Sequence, residues 1–350
     1  MELRAARASE RDQVLDLLAL WYGDRDFFSR YNRNDPGFRD ELCLVACDGG
    51  RIVATAQIFE RAINLRGEHV RLGGVGSVYT LAGYRSRGLG SALMRLAVTT
   101  MEREGFEVSL LFAERLDFYA RFGWRPVTRQ FSALADSASM RVSGQWRLTH
   151  FDPARDLEQI AALHRSYSGR FDGTAIRDGA AWRGNLAYAG NPGEYFVTCR
   201  AAAAADTIVA YARAILFHGF PMVMEYGYAP DAHPAMLALV RHLGEAASGV
   251  AFSNALAGGG GDPSLLQNPA TAPSGLALLV THTAHDPELE RQLGEAGVFV
   301  MHHPDNFFMW RAIAARKLSR RLGVPAENAE AQLLSILQEP TALYWTADRF

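Results

Sequence analysis

The stretch Tyr84-Arg85-Ser86-Arg87-Gly88-Leu89-Gly90 joins an apolar segment that predicts a strand, Val75 to Leu81, to an amphipathic helix. The two glycines have no Cβ atom, so the backbone can bend sharply there and approach a ligand closely. The first amides of the following helix have no intrahelical acceptor, and the helix dipole adds about half a positive charge at the same end. The stretch therefore predicts a site for an anionic ligand such as a pyrophosphate.

Two arginines in the turn add full positive charges to this site. The alternative interpretation is a solvated strand-to-helix connector that binds nothing. The candidate ligand-binding residues of the turn are Arg85, Ser86, Arg87, Gly88, Leu89, Gly90 and Ser91.

The segment after the turn has the apolar spacing of a helix that packs on a sheet. Leu89, Leu93 and Leu96 recur at intervals of three and four residues, and Gly105 provides a stop. Val108 to Ala113 is a short apolar segment bounded by charged residues, which predicts a buried strand.

A second motif, Phe118-Tyr119-Ala120-Arg121-Phe122-Gly123-Trp124, follows about 30 residues after the turn. In this order the two motifs resemble the Gcn5-related N-acetyltransferase (GNAT) superfamily. The resemblance implies that Arg85-Ser86-Arg87-Gly88-Leu89-Gly90 holds the pyrophosphate of acetyl coenzyme A, the co-substrate. It also implies that Tyr119 lies near the thioester sulfur. The family's oxyanion-binding strand corresponds to Val78, Tyr79 and Thr80.

Transfer of an acetyl group to an amine requires a base, because an alkylammonium with a pKa of about 10.4 cannot attack a thioester before it loses a proton. The carboxylate of Glu114, at the end of the preceding predicted strand, is one candidate. The chain also resembles the enhanced intracellular survival group of acetyltransferases, whose terminal carboxylate is the base, and this resemblance implies the Phe350 carboxylate as a second candidate. The resemblance to the superfamily also implies that Tyr119 donates the proton to the leaving thiolate. The alternatives are that Tyr119 is a packed core aromatic and that Glu114 only stabilises a helix dipole.

Asp24, Asp26 and Phe27 follow the first predicted helix, where the resemblance places a substrate loop. Alternating carboxylates and aromatic rings suit a cationic or amphipathic amine. The alternative is a loop that is acidic for solubility alone.

Composition limits the class of protein. The chain has 350 residues and a formal net charge of -2, which argues against a nucleic-acid partner. Met1 to Arg4 is charged without a following apolar stretch, and no apolar segment approaches the roughly 20 residues of a membrane span. We therefore expect a cytoplasmic protein without a membrane partner. Cys43, Cys47 and Cys199 are expected to be buried free thiols, the first two on one strand.

An internal duplication organises the chain. Strand, turn and helix patterns over Glu2 to Asp24 recur over Trp146 to Tyr167, and the hairpin predicted over Cys43 to Phe59 recurs over Tyr195 to Phe217. The predicted domains are a catalytic GNAT domain over 1–142, a second GNAT-like domain over 145–314 and a helical tail over 315–350.

The second half of the sequence lacks a basic, glycine-containing turn like that of the first half. Ala229-Pro230-Asp231-Ala232-His233-Pro234 stands where the basic turn would be, which predicts a degenerate domain that does not bind coenzyme A. Gly258 to Gly261 is expected to be a loop. Such a tandem resembles the enhanced intracellular survival group of acetyltransferases, but the residues after Ala314 are too few for that group's sterol-carrier-like third domain. An aromatic-rich end, Leu343 to Phe350, predicts a docked tail.

These observations predict an α/β (α+β) chain of two GNAT-like domains, each a mixed, mostly antiparallel sheet flanked by helices. The predicted function is transfer of acetyl from acetyl coenzyme A to a primary amine of a small molecule or peptide, by direct attack in a ternary complex. An acyl coenzyme A sensor and a non-catalytic interaction protein are the alternatives.

No metal is expected, since His282, His285, His302 and His303 match no zinc spacing. The resemblance to the enhanced intracellular survival group makes a homo-oligomer a possible assembly of this protein.

Overall fold

The computed structural model describes residues 1–189, 195–202, 206–217, 220–248, 278–280 and 282–348. The predicted loop at Gly258 to Gly261 and the terminal Phe350 lie outside these residues. In the first part of the chain the strands are β1 (Glu2–Ala5), β2 (Cys43–Asp48), β3 (Arg51–Leu65), β4 (Glu68–Thr80), β5 (Val108–Phe112), β6 (Arg125–Pro126) and β7 (Arg129–Ala135). Later strands are β8 (Trp146–His150), β9 (Tyr195–Ala201), β10 (Ile208–Phe217), β11 (Phe220–Tyr228), β12 (Leu278–Val280), β13 (Phe299–Asp305) and β14 (Phe308–Ala312).

The helices follow the predicted amphipathic segments. The first five are α1 (Arg11–Tyr22), α2 (Arg25–Asn34), α3 (Leu89–Glu104), α4 (Leu116–Ala120) and α5 (Pro153–Ser168). The others are α6 (Gly179–Ala189), α7 (His233–Ser248), α8 (Pro287–Glu295), α9 (Ala315–Leu322) and α10 (Ala329–Gln338). Among these helices none combines the length and the apolar character that a membrane span requires.

The strands form two seven-stranded sheets, ordered β1-β2-β3-β4-β5-β14-β6 and β13-β7-β12-β11-β10-β9-β8. Each sheet is antiparallel except for one pair, β4 with β5 in the first and β11 with β12 in the second. The hairpin β2–β3 has its counterpart in β9–β10, as the duplication predicts. The mixed, mostly antiparallel α/β fold class is therefore confirmed.

The sheets do not follow the predicted domain boundaries. Strand β7 leaves the first sheet and pairs with β12 and β13 in the second. Strand β14 returns near the end of the chain and inserts between β5 and β6 of the first sheet. The predicted boundaries at 142, 145 and 314 separate consecutive segments of the chain, but each sheet contains strands from both sides of a boundary. The residue pattern of a strand does not specify which neighbouring strand completes its hydrogen bonds.

Helices cover both faces of the first sheet. Alternate residues of β2 belong to different core clusters: Leu44 and Ala46 share one with α3, and Cys43 and Val45 share another with α1. The predicted helix after the turn is confirmed, since α3 buries Leu93 fully and ends at Gly105, whose φ is 76°. All three cysteines are buried free thiols, as predicted.

The end of the chain docks on the second unit, which confirms the prediction for the described part of the tail. Trp345 is fully buried, and its indole N–H donates to Ser168 Oγ at 2.9 Å. Three residues later, the carboxylate of Asp348 accepts from the Arg177 guanidinium at 2.7 Å.

Asp348 belongs to a buried ion network, here called the tail lock: His164, Arg177, Arg213, Glu225 and Asp348. Arg177 Nη2 lies 2.5 Å from Glu225 Oε2, and Arg213 Nη1 lies 3.6 Å from the same oxygen. Burial opposes ionisation of Glu225, but the two arginines outweigh it and lower its pKa to about 2. Burial lowers the pKa of His164 to about 4. The carboxylates and imidazole are close enough to hold a metal ion, but the two guanidinium groups already balance both negative charges.

Candidate active site

The basic turn adopts the backbone conformation that its glycines suggested. Gly88 has a φ of 79° and immediately precedes α3, and Ser86 also has a positive φ, of 61°. A side chain at Gly88 would be strained in this region. Gly90 provides space, because a Cβ atom there would lie 3.4 Å from Phe118 Cζ. The turn, α4 and the end of β4 therefore converge at Gly90.

The turn presents unpaired amides. The first backbone bond of α3 runs from Ala92 N to Gly88 O at 2.9 Å, and no side chain caps the helix. Within the described part of the chain, the N–H groups of residues 86–91 have no hydrogen-bond acceptor. This is a helix N-terminus open to an anion, next to the two exposed cations of the turn.

Some side chains of the turn are exposed to solvent and others pack into the core. Arg85, Ser86 and Arg87 are exposed, whereas Leu89 is buried against the sheet and Ser91 is half-buried. Arg85 Nε donates to Thr80 O at 3.1 Å, and Arg87 lies over the Tyr84 ring at 4.9 Å. Leu89 therefore offers its amide to the site and its side chain to the core.

Strands β4 and β5 separate beside this turn. Their parallel pairing runs from Leu72 with Val108 to Val75 with Leu111, and β4 then continues alone on that side to Thr80. Ser77 has a φ of 51°, which bends the strand at the point of separation. The edge over residues 76–80, which includes Val78, Tyr79 and Thr80, has no strand partner on the β5 side within the described residues.

Tyr119 lies on α4, next to Phe118, the residue that approaches Gly90 of the turn. It packs edge to face on Phe118, with ring centroids 4.9 Å apart, and joins the core cluster that contains Val78 and Leu89. Burial, followed by the nearby Tyr22, raises the pKa of the Tyr119 phenol to about 12. The phenol is therefore protonated at neutral pH and can donate a proton. Glu114 is exposed just before α4.

The predicted substrate segment forms the corner between α1 and α2. Asp24 caps α2, since its carboxylate accepts from Phe27 N at 2.8 Å. Asp26 is exposed in the first turn of α2, and Phe27 is 38% exposed. Asp24 thus has a structural role that sequence reasoning did not assign.

Sequence reasoning missed two aromatic residues at this corner. Trp21 and Tyr22 are 57% and 40% exposed, although they continue the apolar end of α1. The Trp21 ring lies 5.9 Å from Tyr79, and Arg85 Cζ lies 5.8 Å from the Trp21 ring. The corner therefore borders both the separated strands and the turn. An apolar pair at a helix end is a weak signal, because such residues are more often buried.

A cavity of about 600 Å³ opens along α3 from Ser91. Three of its lining residues are arginines, Arg95, Arg121 and Arg311, and the others are Ser91, Val98, Thr99, Phe122 and Gly123. Burial lowers the pKa of Arg311, which donates to Phe122 O. Among the described residues no carboxylate lines the cavity. Arg95 and Arg121 lie in or near the two motifs, but Arg311 is supplied by β14 and could not be found from local sequence.

The corresponding turn of the second unit is closed. Helix α7 begins at His233, and Ala232 and Ala235 before and within its first turn are buried. The His233 ring lies 4.9 Å from the Tyr228 ring. Ala232 N donates to Ala229 O and Ala235 N donates to Ala232 O, both at 3.0 Å, so these amides are paired within the chain. The degenerate second unit stays a prediction that this pairing favours.

The histidines singled out in the second half lie in two environments. His282 and His285 are buried, with ring centroids 5.2 Å apart. His302 lies 3.2 Å from Ser132 Oγ through Nδ1, and His303 stacks on Phe131 at 5.1 Å. Packing and hydrogen bonding account for their positions.

Comparison with known proteins extends these observations. Residues 2–127 match the family model described as an acetyltransferase (GNAT) domain. No curated protein matches the sequence. A GCN5-related N-acetyltransferase from Kribbella flavida is similar in structure, at 18% identity and a TM-score of 0.63, over 91% of this chain and 72% of that chain.

Two further solved structures share the fold. Eis1 from Mycobacterium abscessus is 15% identical with a TM-score of 0.57, over 91% of this chain and 76% of its own. The N-myristoyltransferase of Saccharomyces cerevisiae, solved with bound myristoyl-CoA, is 11% identical with a TM-score of 0.52, over 89% of this chain and 79% of its own. Each likeness spans both sheets, so the resemblance inferred from the two motifs is confirmed at the level of the fold.

Proposed function

We propose that this chain, whose residues 2–127 match the acetyltransferase (GNAT) domain model, transfers acetyl from acetyl coenzyme A to a primary amine of a small molecule or peptide. One observation supports the proposal: the unpaired amides of residues 86–91 open beside the separated strands β4 and β5, and α4, which carries Tyr119, approaches the turn at Gly90. A solvated connector would need neither the strand separation nor a half-buried phenol in the same core cluster.

The donor would lie along three neighbouring features. The amides of residues 86–91 bind the pyrophosphate, with Arg85 and Arg87 adding charge. The free edge of β4 over residues 76–80 takes the pantetheine arm. The cavity lined by Arg95, Arg121 and Arg311 takes the 3′-phosphate of the nucleotide, since a cavity with three guanidinium groups and no carboxylate suits a multiply charged anion. The structural neighbour solved with myristoyl-CoA supports an acyl coenzyme A donor.

Arg95→Gln tests the nucleotide end of this site. We expect it to weaken acetyl coenzyme A binding about 10–150-fold, because a charge-assisted hydrogen bond of roughly 1.5–3 kcal/mol is lost. Binding of 3′-dephospho coenzyme A, which lacks the phosphate, should change less than twofold. Calorimetry measures both affinities. Arg103→Gln, an exposed position at the end of the same helix, is the matched control. Equal weakening for both ligands would contradict this assignment.

The reaction needs a base, an oxyanion site and a proton donor. We assign deprotonation of the ammonium, directly or through water, to the Glu114 carboxylate. The attacking nitrogen forms the new C–N bond while the strand over Val78, Tyr79 and Thr80 supplies amide donors to the tetrahedral oxyanion. Collapse breaks the C–S bond, and Tyr119 gives its proton to the departing thiolate. The nitrogen of the tetrahedral intermediate loses its second proton, which passes through water to restore the phenol, while the proton taken by Glu114 is released to solvent.

Glu114→Gln is expected to lower kcat/KM for an amine about 10–100-fold at pH 7. The deficit should shrink as the pH approaches the pKa of the amine, because the free base then needs no enzyme base. A pH profile of kcat/KM measures this. The competing candidate is the terminal carboxylate of Phe350, which one added residue would displace. A large loss on extension, together with little effect of Glu114→Gln, would transfer the role to the terminus.

Residues 145–314 are proposed to be a GNAT-like unit that walls the acceptor pocket without binding coenzyme A. A screen of amines with thiol detection of released coenzyme A tests the whole proposal. If no amine is acetylated, calorimetry with acetyl coenzyme A distinguishes the two alternative functions. Binding without turnover of any amine indicates a sensor, and absence of binding indicates a non-catalytic interaction protein.

A further inference from the structure

Exposed aromatic rings cluster at one place on the described surface. We define the aromatic rim as Trp21, Tyr22 and Phe27, which are 57%, 40% and 38% exposed. Among the described residues, Phe299 on the far edge of the second sheet is the other large aromatic side chain that is similarly exposed. Three such rings at one corner are unusual, because aromatic side chains carry the largest apolar areas and are normally buried.

The corner holds these rings in place before any ligand arrives. Helix α1 ends at Gly23, whose φ is 74°, and Asp24 caps the start of α2. Tyr22 and Phe27 pack against the half-buried Phe28 with ring centroids 4.9 Å and 5.3 Å apart. Little conformational entropy is therefore lost when a ligand contacts the rim.

The rim is continuous with the proposed reaction centre at two points. Trp21 lies 5.9 Å from Tyr79 of the oxyanion strand. Tyr22 lies close enough to Tyr119 to contribute to the raised pKa of that phenol. An amine whose nitrogen lies between Tyr79 and Tyr119 would therefore extend its body across the rim.

Groups of both charges border the rim. Arg30 lies over the Phe27 ring at 6.0 Å, and Arg85 lies over the Trp21 ring. The carboxylates of Asp26, beside Phe27, and Glu114, just before α4, are exposed, and neither forms an ion pair with any described residue, so both are available to an ammonium head. The rim itself offers ring carbon, one indole N–H and one phenol. A polyhydroxylated body would lose hydrogen bonds to water there without replacing them, whereas an aryl body would not.

We propose that the acceptor is an amine carried on an aromatic body, an arylalkylamine, whose ring packs on Trp21, Tyr22 and Phe27. This inference rests on the proposed acetyl transfer and names the acceptor class for that site. The rim also borders the donor site, since Arg85 of the turn lies over the rings of both Trp21 and Tyr79.

The test compares kcat/KM for phenethylamine and tryptamine with that for ethanolamine and putrescine, at saturating acetyl coenzyme A. We expect the aryl amines to be favoured at least about tenfold, the discrimination that apolar contacts of this size provide. Trp21→Ala should remove most of this preference by lowering kcat/KM for the aryl amines, with ethanolamine changed less than twofold. Phe299→Ala is the matched exposed-aromatic control and should change neither.

The outcomes separate this inference from the function on which it rests. Turnover of ethanolamine or putrescine as efficient as that of the aryl amines contradicts the aryl acceptor and leaves the transferase standing. A Trp21→Ala variant that loses octanoyl-CoA as a donor, but keeps its amine preference, assigns the rim to an acyl chain and overturns the inference. Binding of acetyl coenzyme A without turnover of any of the four amines, in wild-type protein with native circular dichroism, contradicts both.

Discussion

Replacing Tyr119 with phenylalanine is expected to lower kcat about 10²–10³-fold while leaving the affinity for acetyl coenzyme A within twofold. The substitution removes one hydroxyl and keeps the ring that packs on Phe118. The phenol carries its proton throughout the neutral range, since its ordinary pKa of about 10 already lies above that range and burial raises it further, to about 12. It can therefore give that proton to the departing thiolate. The variant loses that donor alone.

Rapid-quench measurement of the chemical step, with calorimetry for the donor, gives both quantities. Tyr195→Phe is the matched control, since it removes a hydroxyl that lies 2.9 Å from His242 Nε2 in the second unit. A Tyr119→Phe variant with unchanged kcat would show that Tyr119 is a packing residue, the alternative that its apolar neighbours allow.

Glu225→Gln is expected to lower the free energy of unfolding by about 3–5 kcal/mol at pH 7, because it leaves a buried guanidinium uncompensated. Glu225 is fully buried between Arg177 and Arg213. Its substitution removes the shared partner of both arginines in the tail lock and leaves Asp348 as the remaining counter-charge. Urea denaturation followed by tryptophan fluorescence measures the loss. Glu158→Gln, an exposed position on α5, should change stability by less than about 0.5 kcal/mol.

The same network predicts the direction of acid sensitivity. The folded-state pKa of Glu225, about 2, is lower than its ordinary value of 4.5, so its stabilisation is present above pH 4.5 and is lost as the pH falls from there towards 2. The depressed pKa of His164, about 4 against 6.5, acts in the same direction between those values. Glu225→Gln should therefore have a flatter stability profile than the wild type below pH 4.5. Parallel profiles would show that Glu225 is not ionised in the folded protein.

Packing connects the tail lock to the corner between α1 and α2. The described tail ends at Asp348, whose neighbour Ala347 O accepts from Asn185 Nδ2 on α6 at 2.8 Å. Helix α6 in turn packs closely on α2, where a Cβ atom at Gly184 would lie 2.3 Å from Asn34 O. The α1–α2 corner and the docked tail therefore both contact helix α6.

Several features of the site could be predicted from short stretches of sequence. The left-handed Gly88, the start of α3 beside it and its end at Gly105 depend on residues within one or two helical turns. The placement of Tyr119 after β5 follows from the order of the two motifs. Local backbone conformation and helix ends are determined by side chains a few positions apart, so a single sequence contains the necessary information.

Other features depend on contacts between distant segments. Arg311 reaches the cavity beside Arg95 because β14 inserts between β5 and β6, about 200 residues after them in the chain. Trp21 has the composition of a core residue, and its exposure depends on what the rest of the fold leaves uncovered. The tail lock assembles its ionisable groups from α5, the segment between α5 and α6, β10, β11 and the docked tail.

The amino-acid sequence alone determined the backbone of the turn proposed to bind an anion, the mixed α/β fold class and the candidate proton donor. Only the tertiary structure decided which strands complete each sheet, which arginines share a cavity and which aromatic rings remain in water. The physical reason is the sequence distance over which each interaction acts. Backbone bends and helix periodicity are local, whereas strand pairing, burial and charge balance are set by whichever distant groups the completed fold brings within a few ångströms.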